Sequence, residues 1–142
     1  MKLTTIEYGT SQYDEMVALR NKILREPLGI AFTEAEKLRD KVDTLCCCLV
    51  GEQIVGCCLL SKVDDNTLQL RQMAVLKELQ KKNIGANVLT FAEEKARELG
   101  YNTIMLHARE EAAGFYGKFG YLTQGDKFLE VGIPHYEMIK RI

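Results

Sequence analysis

The chain has 142 residues, of which 46% are hydrophobic and 27% are charged, a composition that fits a folded domain and excludes a disordered or collagen-like chain. Nineteen Lys and Arg residues against twenty Asp and Glu residues give a net charge of -1, which argues against a nucleic-acid-binding protein. Charged residues interrupt every apolar stretch before the ~18 residues that a membrane span needs. We therefore expect one cytoplasmic domain over residues 1–142, with no nucleic-acid or membrane partner.

Five cysteines occur in two runs, Cys46–Cys48 and Cys57–Cys58. Neighbouring residues of a strand face opposite sides, so these runs do not provide the converging ligands of a zinc site. We expect small buried thiols in a reducing compartment, and no metal. A nucleophilic cysteine is the alternative interpretation.

The N-terminal part of the chain predicts a strand followed by a helix. The range Lys2–Tyr8 fits a first strand, and Ser11–Arg25 fits an amphipathic helix with its first residue as the N-cap. Pro27 and Gly29 are expected to end this helix. Arg20 interrupts the apolar stripe, so we expect its stem to pack on the core while its head reaches water.

The middle of the chain predicts a short helix and then a meander of three strands. Thr33 and Glu36 have the spacing of a capping box, which predicts a second helix ending near Lys41. Apolar runs separated by short polar turns follow it. The predicted strands are Thr44–Val50, Gln53–Val63 and Thr67–Val75.

The C-terminal part begins with the clearest helix of the sequence. Apolar residues recur three or four positions apart over Ile84–Leu99, and Glu93 and Arg97 are expected to pair on its polar side. Gly100 is a suitable C-terminal stop. The remaining predicted elements are a strand at Tyr101–His107, a helix at Glu110–Phe119, and strands at Tyr121–Thr123 and His135–Ile142.

The polar turn between the strand ending at Val75 and the helix beginning at Ile84 fits an anion-binding site. The first N–H groups of a helix have no partner within the helix and lie at the positive end of its dipole. Asn83 tolerates a left-handed backbone, Gly85 permits close approach of a ligand, and Lys81 and Lys82 add positive charge. An ordinary solvated turn is the alternative.

A second group of residues lies on one face of the helix predicted at Glu110–Phe119. Phe115 and Phe119 fit ordinary core packing. Tyr116 fits either core packing or the chemistry of a hydroxyl that protonates a leaving group.

These stretches resemble the GNAT superfamily of acetyl-CoA-dependent N-acetyltransferases. Gln80–Gly85 is similar to the family's Q/R-x-x-G-x-G/A motif, with Asn83 in place of its first glycine. Met73–Val75 resembles the end of the family's preceding strand, and Phe115–Tyr121 resembles its F-Y-x-K-x-G-F/Y signature. The tail Phe128–Met138 is similar to small bacterial members that end in F-x-E-x-G-I-P-H-x-x-M.

The resemblance implies an α/β fold, with a mostly antiparallel, mixed seven-stranded sheet and about four helices. The strands carrying Met73–Val75 and Tyr101–His107 are expected to splay apart and form a slot for a thioester. The resemblance further implies that acetyl-CoA is the acyl donor and that a primary amine of a small molecule or peptide attacks it directly. It also allows a homodimer. A non-catalytic acyl-CoA-binding or sensor protein on the same fold is the alternative.

The resemblance also implies roles for individual residues. Backbone groups of Met73 and Val75 are expected to bind the pantetheine arm as an added strand would, and N–H groups of residues 81–86 the pyrophosphate. A backbone N–H near Val75 is expected to stabilise negative charge developing on the thioester oxygen. The full set of expected cofactor-binding residues is Met73, Ala74, Val75, Gln80, Lys81, Lys82, Asn83, Ile84, Gly85, Ala86, His107, Phe115 and Lys118.

The expected acid is Tyr116, which would protonate the leaving thiolate. The acceptor amine must lose a proton, and the candidate bases are Glu130, His135 and His107, among which spacing does not choose. His107 is expected to be structural or to touch the edge of the cofactor. The acceptor pocket is expected to be lined from the first helix and the segment after it, with candidates Arg20, Arg25, Glu26 and Glu34.

Overall fold

The computed structural model describes residues 1–142, and its strands form one seven-stranded sheet in the order β1-β2-β3-β4-β5-β7-β6. Every neighbouring pair is antiparallel except β4 and β5, which are parallel. This confirms the expected mixed, mostly antiparallel sheet. The strands are β1 (Lys2–Ile6), β2 (Thr44–Val50), β3 (Gln53–Lys62), β4 (Thr67–Val75), β5 (Thr103–Arg109), β6 (Leu122–Glu130) and β7 (Ile133–Arg141).

Four α-helices accompany the sheet: α1 (Ser11–Arg20), α2 (Glu34–Arg39), α3 (Ile84–Glu98) and α4 (Ala113–Lys118). A π-helical turn, Asn21–Arg25, continues α1. The predicted N-cap of α1 was one residue late, because Thr10 is the cap and its side chain accepts a hydrogen bond from the Tyr13 N–H. The capping box of Thr33 and Glu36 at the start of α2 is confirmed.

The splay between β4 and β5 is confirmed. The two strands pair only from Thr67–Leu70 to Thr103–Leu106, and beyond these residues they separate. On its other side β4 shifts register against β3, and Gln72 adopts a φ of 60° at this bulge. A bulge bends the strand that carries it, so the second half of β4 leaves β5 and a gap opens in the middle of the sheet.

Two layers of core cover the two faces of the sheet, and the cysteines alternate between them. Cys46, Cys48 and Cys58 pack on the face covered by α3, whereas Cys47 and Cys57 pack on the face covered by α1. All five are free and buried, as expected. We call these two faces the α3 side and the α1 side.

The largest difference between the predicted and the observed strands is at β6. Only Tyr121–Thr123 was predicted as a strand there, but β6 extends over Leu122–Glu130 and forms a hairpin with β7. Nearly every residue of this edge strand is exposed, so the hydrophobic alternation that identifies a half-buried strand is missing. The two-residue turn Val131–Gly132, with φ of 46° and 75°, joins the strands.

The expected pair of Glu93 and Arg97 was also wrong. Glu93 is buried, and its carboxylate accepts hydrogen bonds from the Tyr121 hydroxyl at 2.8 Å and from the Lys140 ammonium at 3.0 Å. These partners come from the residue just before β6 and from β7, so no local spacing could reveal them.

The head of Arg20 does not reach water, contrary to expectation. Arg20 is 1% exposed, and its guanidinium lies 2.8 Å from the fully buried carboxylate of Asp40. The Tyr13 hydroxyl donates to the same carboxylate at 2.7 Å. Arg71 lies 3.5 Å from the second Asp40 oxygen and 2.6 Å from Asp43. This ion network fixes the start of β2 and the end of α2 against α1 and β4.

Candidate active site

A cavity of about 1070 Å³ occupies the gap between β4 and β5. On the α3 side its walls come from the turn before α3, the first residues of α3, and α4. On the α1 side they come from the π-helical turn, α2, and the β6–β7 hairpin. The cavity therefore joins the two faces of the sheet, and we call its two ends the α3 end and the α1 end.

The turn at the α3 end has an unusual backbone. Lys81 and Asn83 adopt φ values of 69° and 65°, so the left-handed conformation expected of Asn83 is confirmed. The N–H groups of Ile84, Gly85 and Ala86 donate to no protein acceptor, and the first helical bond runs from Asn87 to Asn83. Left-handed residues beside free N–H groups form an anion-binding concavity at the positive end of the helix dipole.

Gly85 keeps this concavity open. A Cβ at this position would lie 3.4 Å from Cζ of Phe115, at the lower limit of an ordinary van der Waals contact, so little room is left for a larger side chain. Gln80 acts in a different way, because its side-chain amide donates to the Val75 carbonyl at 3.0 Å and holds the end of β4. Lys81 and Lys118 line the same end and have no carboxylate partner, so their charge faces any anion bound there.

Most of the residues expected to bind a cofactor line this cavity, and three do not. Ala74 is buried in the core on the α1 side, Ile84 is buried in the core on the α3 side, and the side chain of Lys82 is exposed. The members that line the cavity are Met73, Val75, Gln80, Lys81, Asn83, Gly85, Ala86, His107, Phe115 and Lys118.

Tyr116, the expected acid, is buried at the wall of the cavity. Its ring packs edge-on against Phe115 and Tyr121, which fixes its direction. Its hydroxyl makes no hydrogen bond to another protein group. Burial raises the pKa of this hydroxyl above its ordinary value of 10.0, with a smaller contribution from Cys58. The group therefore stays protonated at neutral pH and can donate.

The three candidate bases converge at the α1 end. One oxygen of Glu130 lies 2.9 Å from Nδ1 of His107, and the other lies 3.6 Å from Nε2 of His135. Nδ1 of His135 lies 2.7 Å from the Ile133 carbonyl, which can only accept, so Nδ1 carries the proton. In neutral His135 the lone pair is therefore on Nε2, beside Glu130.

The β6–β7 hairpin builds this cluster. His135 stacks on Phe128 at 5.9 Å, and the edge of His107 packs against the same ring at 5.0 Å. Val131 immediately follows Glu130 and lines the cavity with a φ of 46°, a left-handed conformation that β-branched residues rarely adopt. Such strain is often found at functional sites.

The residues expected at the acceptor pocket were partly wrong. Arg25 lines the α1 end and is paired with Glu36 through two hydrogen bonds. Arg20, Glu26 and Glu34 do not line the cavity. Three other arginines line the cavity, and none of them was predicted to do so. They are Arg39, Arg71 and Arg109.

One signal could have revealed Arg109. It lies two residues after His107 on β5, and residues two apart in a strand share a face. Nothing local marks Arg39 or Arg71 as lining residues, because their positions depend on how α2 and the bulged end of β4 pack.

The cysteines do not form part of the cavity wall. None of the five lines the cavity, and burial raises the pKa of Cys57 to about 12, so its thiolate is disfavoured. No group of three or more His, Cys, Asp or Glu side chains has an arrangement that could hold a metal ion. None of the helices combines the length and hydropathy needed to cross a membrane.

Two relatives from Bacillus subtilis (strain 168) match parts of this chain. The protein YyaT is 35% identical over 82 residues, which are 58% of this chain and 55% of that protein. The uncharacterized N-acetyltransferase YjcF is 32% identical over 80 residues, which are 56% of this chain and 57% of that protein. The matches thus span little more than half the length of these relatives.

Solved structures share the whole fold at low sequence identity. Escherichia coli ElaA superposes with a TM-score of 0.87 at 15% identity, over 99% of this chain and 100% of that one. A GNAT family acetyltransferase from Elizabethkingia anophelis with acetyl-CoA bound superposes with a TM-score of 0.76 at 19% identity, over 99% and 97% of the two chains. A family model described as an acetyltransferase (GNAT) domain matches residues 25–142. The chain therefore belongs to the GNAT acetyltransferase family.

Proposed function

We propose that this chain is an N-acetyltransferase that moves an acetyl group from acetyl-CoA to a primary amine of a small molecule or peptide, by direct attack within a ternary complex. One observation carries the proposal. A single cavity through the splayed sheet joins an anion-binding helix N-terminus to a buried tyrosine hydroxyl and a His–Glu–His cluster. A donor and an acceptor that enter from opposite faces would meet inside it.

The α3 end fits coenzyme A. The free N–H groups of Ile84, Gly85 and Ala86, together with Lys81 and Lys118, suit a pyrophosphate. The second half of β4 has no partner on β5, so the edge at Met73–Val75 is open to a pantetheine arm that pairs as an added strand. Two family structures, an aminoglycoside 6'-N-acetyltransferase and the Elizabethkingia enzyme, contain coenzyme A and acetyl-CoA, respectively.

Acetyl-CoA would supply a thioester carbonyl that accepts a nucleophile. Tyr116 would donate its hydroxyl proton to the leaving sulfur. It suits this role because it lines the cavity, is buried, and has a hydroxyl with no competing protein partner. Its raised pKa means that the hydroxyl is protonated at neutral pH, so a hydrogen is present to donate to the leaving sulfur.

His135 and Glu130 would remove the proton from the acceptor ammonium. The lone pair at Nε2 of His135 is available, and Nε2 itself lies 3.6 Å from a Glu130 oxygen, so a carboxylate would stand beside the imidazolium formed there. Opposite charges at that separation attract each other. Glu130 also lies 2.9 Å from Nδ1 of His107, and this contact supports a positioning role for His107.

The test is an acetyl-CoA-dependent thiol-release screen against amines, amino sugars, amino acids, polyamines and peptides, combined with calorimetric binding of acetyl-CoA. We expect acetyl-CoA to bind with one site per chain, and at least one amine to accelerate thiol release. Binding without release by any amine would favour the non-catalytic acyl-CoA-binding protein.

The five free, buried cysteines support a reducing location such as the cytoplasm.

A further inference from the structure

The α1 end of the cavity carries more positive charge than its carboxylates can balance. Four arginines line it, Arg25, Arg39, Arg71 and Arg109, against the two carboxylates of Glu36 and Glu130. An acceptor amine is a cation before it loses its proton, and a cavity with an excess of arginines repels a simple cation. The excess therefore needs an explanation.

Two of these arginines are already satisfied by the protein. Arg25 is paired with Glu36 at 2.8 Å and stacks on the ring of Phe32. Arg71 is paired with Asp43 at 2.6 Å and also donates to the Ser61 hydroxyl. Their charges are neutralised by partners within the fold, so they explain none of the excess.

The other two arginines have no carboxylate partner. Of the five N–H groups on the Arg109 side chain, only one donates to a protein acceptor, the Leu24 carbonyl at 2.8 Å. Arg39 is exposed and forms no hydrogen bond or ion pair. It lies three residues after Glu36 on α2, so the two share a helix face. Arg109 and Arg39 thus present free guanidinium groups to one space.

The strand register places this positive charge beside the base. Arg109 on β5 lies directly opposite His135 on β7, and such neighbours point to the same face of the sheet. Their Cα atoms are about 4.5–5.5 Å apart in an antiparallel pair. One small molecule can therefore contact the Arg109 guanidinium with one group while its amine reaches His135 and Glu130.

We propose that the acceptor is an amine that also carries a carboxylate or phosphate group, which Arg109 and Arg39 bind. This inference rests on the proposed acetyl transfer and names the class of its acceptor. Planar guanidinium groups suit both oxyanions because they can donate two parallel N–H bonds. The bound oxyanion neutralises the excess charge and orients the amine towards the base.

The test uses acceptor pairs that differ only in charge. The pairs are amino acids against their amides, for the carboxylate, and glucosamine 6-phosphate against glucosamine, for the phosphate. We expect the anionic member of at least one pair to have the higher kcat/KM by tenfold or more, and the better pair identifies the oxyanion. Equal or better turnover of the neutral members would overturn the proposal.

The variants Arg109→Gln and Arg39→Gln then test whether these two residues bind the oxyanion. Arg97→Gln is the matched control. Arg97 is also exposed and unpaired, but it lies on α3 and does not line the cavity. We expect Arg109→Gln to raise KM for the anionic acceptor about 10- to 100-fold and Arg39→Gln to raise it less, since a charged hydrogen bond is lost. KM for the neutral member and for acetyl-CoA should stay within about twofold.

Arg109→Lys guards against a purely structural effect, because Arg109 also ties β5 to the π-helical turn. We expect Arg109→Lys to recover part of the anionic preference. If Arg109→Gln raised KM equally for the anionic and the neutral member of a pair, the arginine would only support the wall of the cavity. That result would overturn its role as the anion site.

Binding distinguishes failure of this inference from failure of acetyl transfer. Each anionic probe is titrated into the protein saturated with coenzyme A, where no reaction occurs. If no amine is acetylated but an anionic probe binds and Arg109→Gln weakens that binding, the anion site holds and acetyl transfer fails. If transfer occurs but anionic probes bind no better than neutral ones, the anion site fails alone.

Discussion

The two ends of the cavity differ in how the chain builds them. The α3 end comes mainly from one continuous stretch, the turn and first residues of α3 within residues 80–86, completed by α4. The α1 end comes from the π-helical turn, α2, the end of β5 and the β6–β7 hairpin, which are far apart in sequence. The α3 end, where we propose that the donor binds, thus depends on local backbone geometry, whereas the α1 end, where we propose that the acceptor binds, depends on long-range packing.

Tyr116 is the proposed acid for the leaving thiolate, so its substitution should have the largest effect. We expect Tyr116→Phe to lower kcat about a thousandfold, within the range for loss of a general acid, while the Kd for acetyl-CoA stays within about twofold. The matched control is Tyr101→Phe, which alters a tyrosine outside the cavity. Comparable kcat in Tyr116→Phe and in the wild type would remove the tyrosine from the mechanism.

The pH profile of kcat gives an independent check on the same hydroxyl. Because burial raises the pKa of Tyr116, the protonated, donating form persists at neutral pH and up to the ordinary tyrosine value of about 10. We therefore expect no basic loss of kcat from this group below about pH 10. A basic limb near neutral pH that vanishes in Tyr116→Phe would contradict the raised pKa of this hydroxyl.

Substitutions of Glu130 and His135 test the α1 end of the cavity alone. We expect Glu130→Gln and His135→Ala each to lower kcat about a hundredfold, because each removes part of the path for the acceptor's proton. Acetyl-CoA binding should be unchanged, since both residues lie at the α1 end. Glu111→Gln, an exposed carboxylate outside the cavity, should leave both quantities unchanged. A weaker acetyl-CoA affinity in either variant would break the separation of the two ends.

A substitution at Gly85 tests the α3 end of the cavity alone. We expect Gly85→Leu to raise the Kd for acetyl-CoA about tenfold, because its side chain must compete with Phe115 for space and covers the free N–H groups. Gly114→Leu is the control, because a Cβ there meets nothing within 4 Å. Calorimetry measures both values. Undiminished binding in Gly85→Leu would place the pyrophosphate elsewhere.

The smallest effect concerns the strained turn beside Glu130. Val131 and Gly132 both adopt positive φ, the type I′ geometry for which Asn-Gly is favoured. We expect Val131→Asn to raise the free energy of unfolding in urea by about 1 kcal/mol, as the strain of a β-branched residue is relieved. Because Val131 is 45% exposed, little packing is lost. A destabilised variant would mean that contacts of Val131 outweigh the strain.

The same difference between the ends explains what could be predicted from the sequence. The left-handed Asn83 and the open Gly85 follow from local backbone preferences, and the splay between β4 and β5 follows from the family resemblance. The convergence of His107, Glu130 and His135 did not follow, because it depends on β6, an exposed edge strand without hydrophobic alternation. The sequence offers these three residues as alternative bases, and only the hairpin register brings them together.

Two charged residues show the same limit in the core. Arg20 and Glu93 lie in helices whose spacing predicted a solvated head and a local pair, respectively. Both are buried with partners from distant elements, Asp40 for Arg20 and Lys140 for Glu93. Buried charges require such partners, but the sequence does not say which ones the fold supplies.

The central claim is that the two ends meet at one point, where the acetyl group passes directly from donor to amine. A mass-spectrometric time course of the protein with acetyl-CoA and an accepted amine tests it most directly. We predict that acetylated amine appears in step with free coenzyme A while the mass of the protein stays unchanged. An acetyl group that appears first on the protein, or coenzyme A released without acetylated amine, would contradict direct transfer.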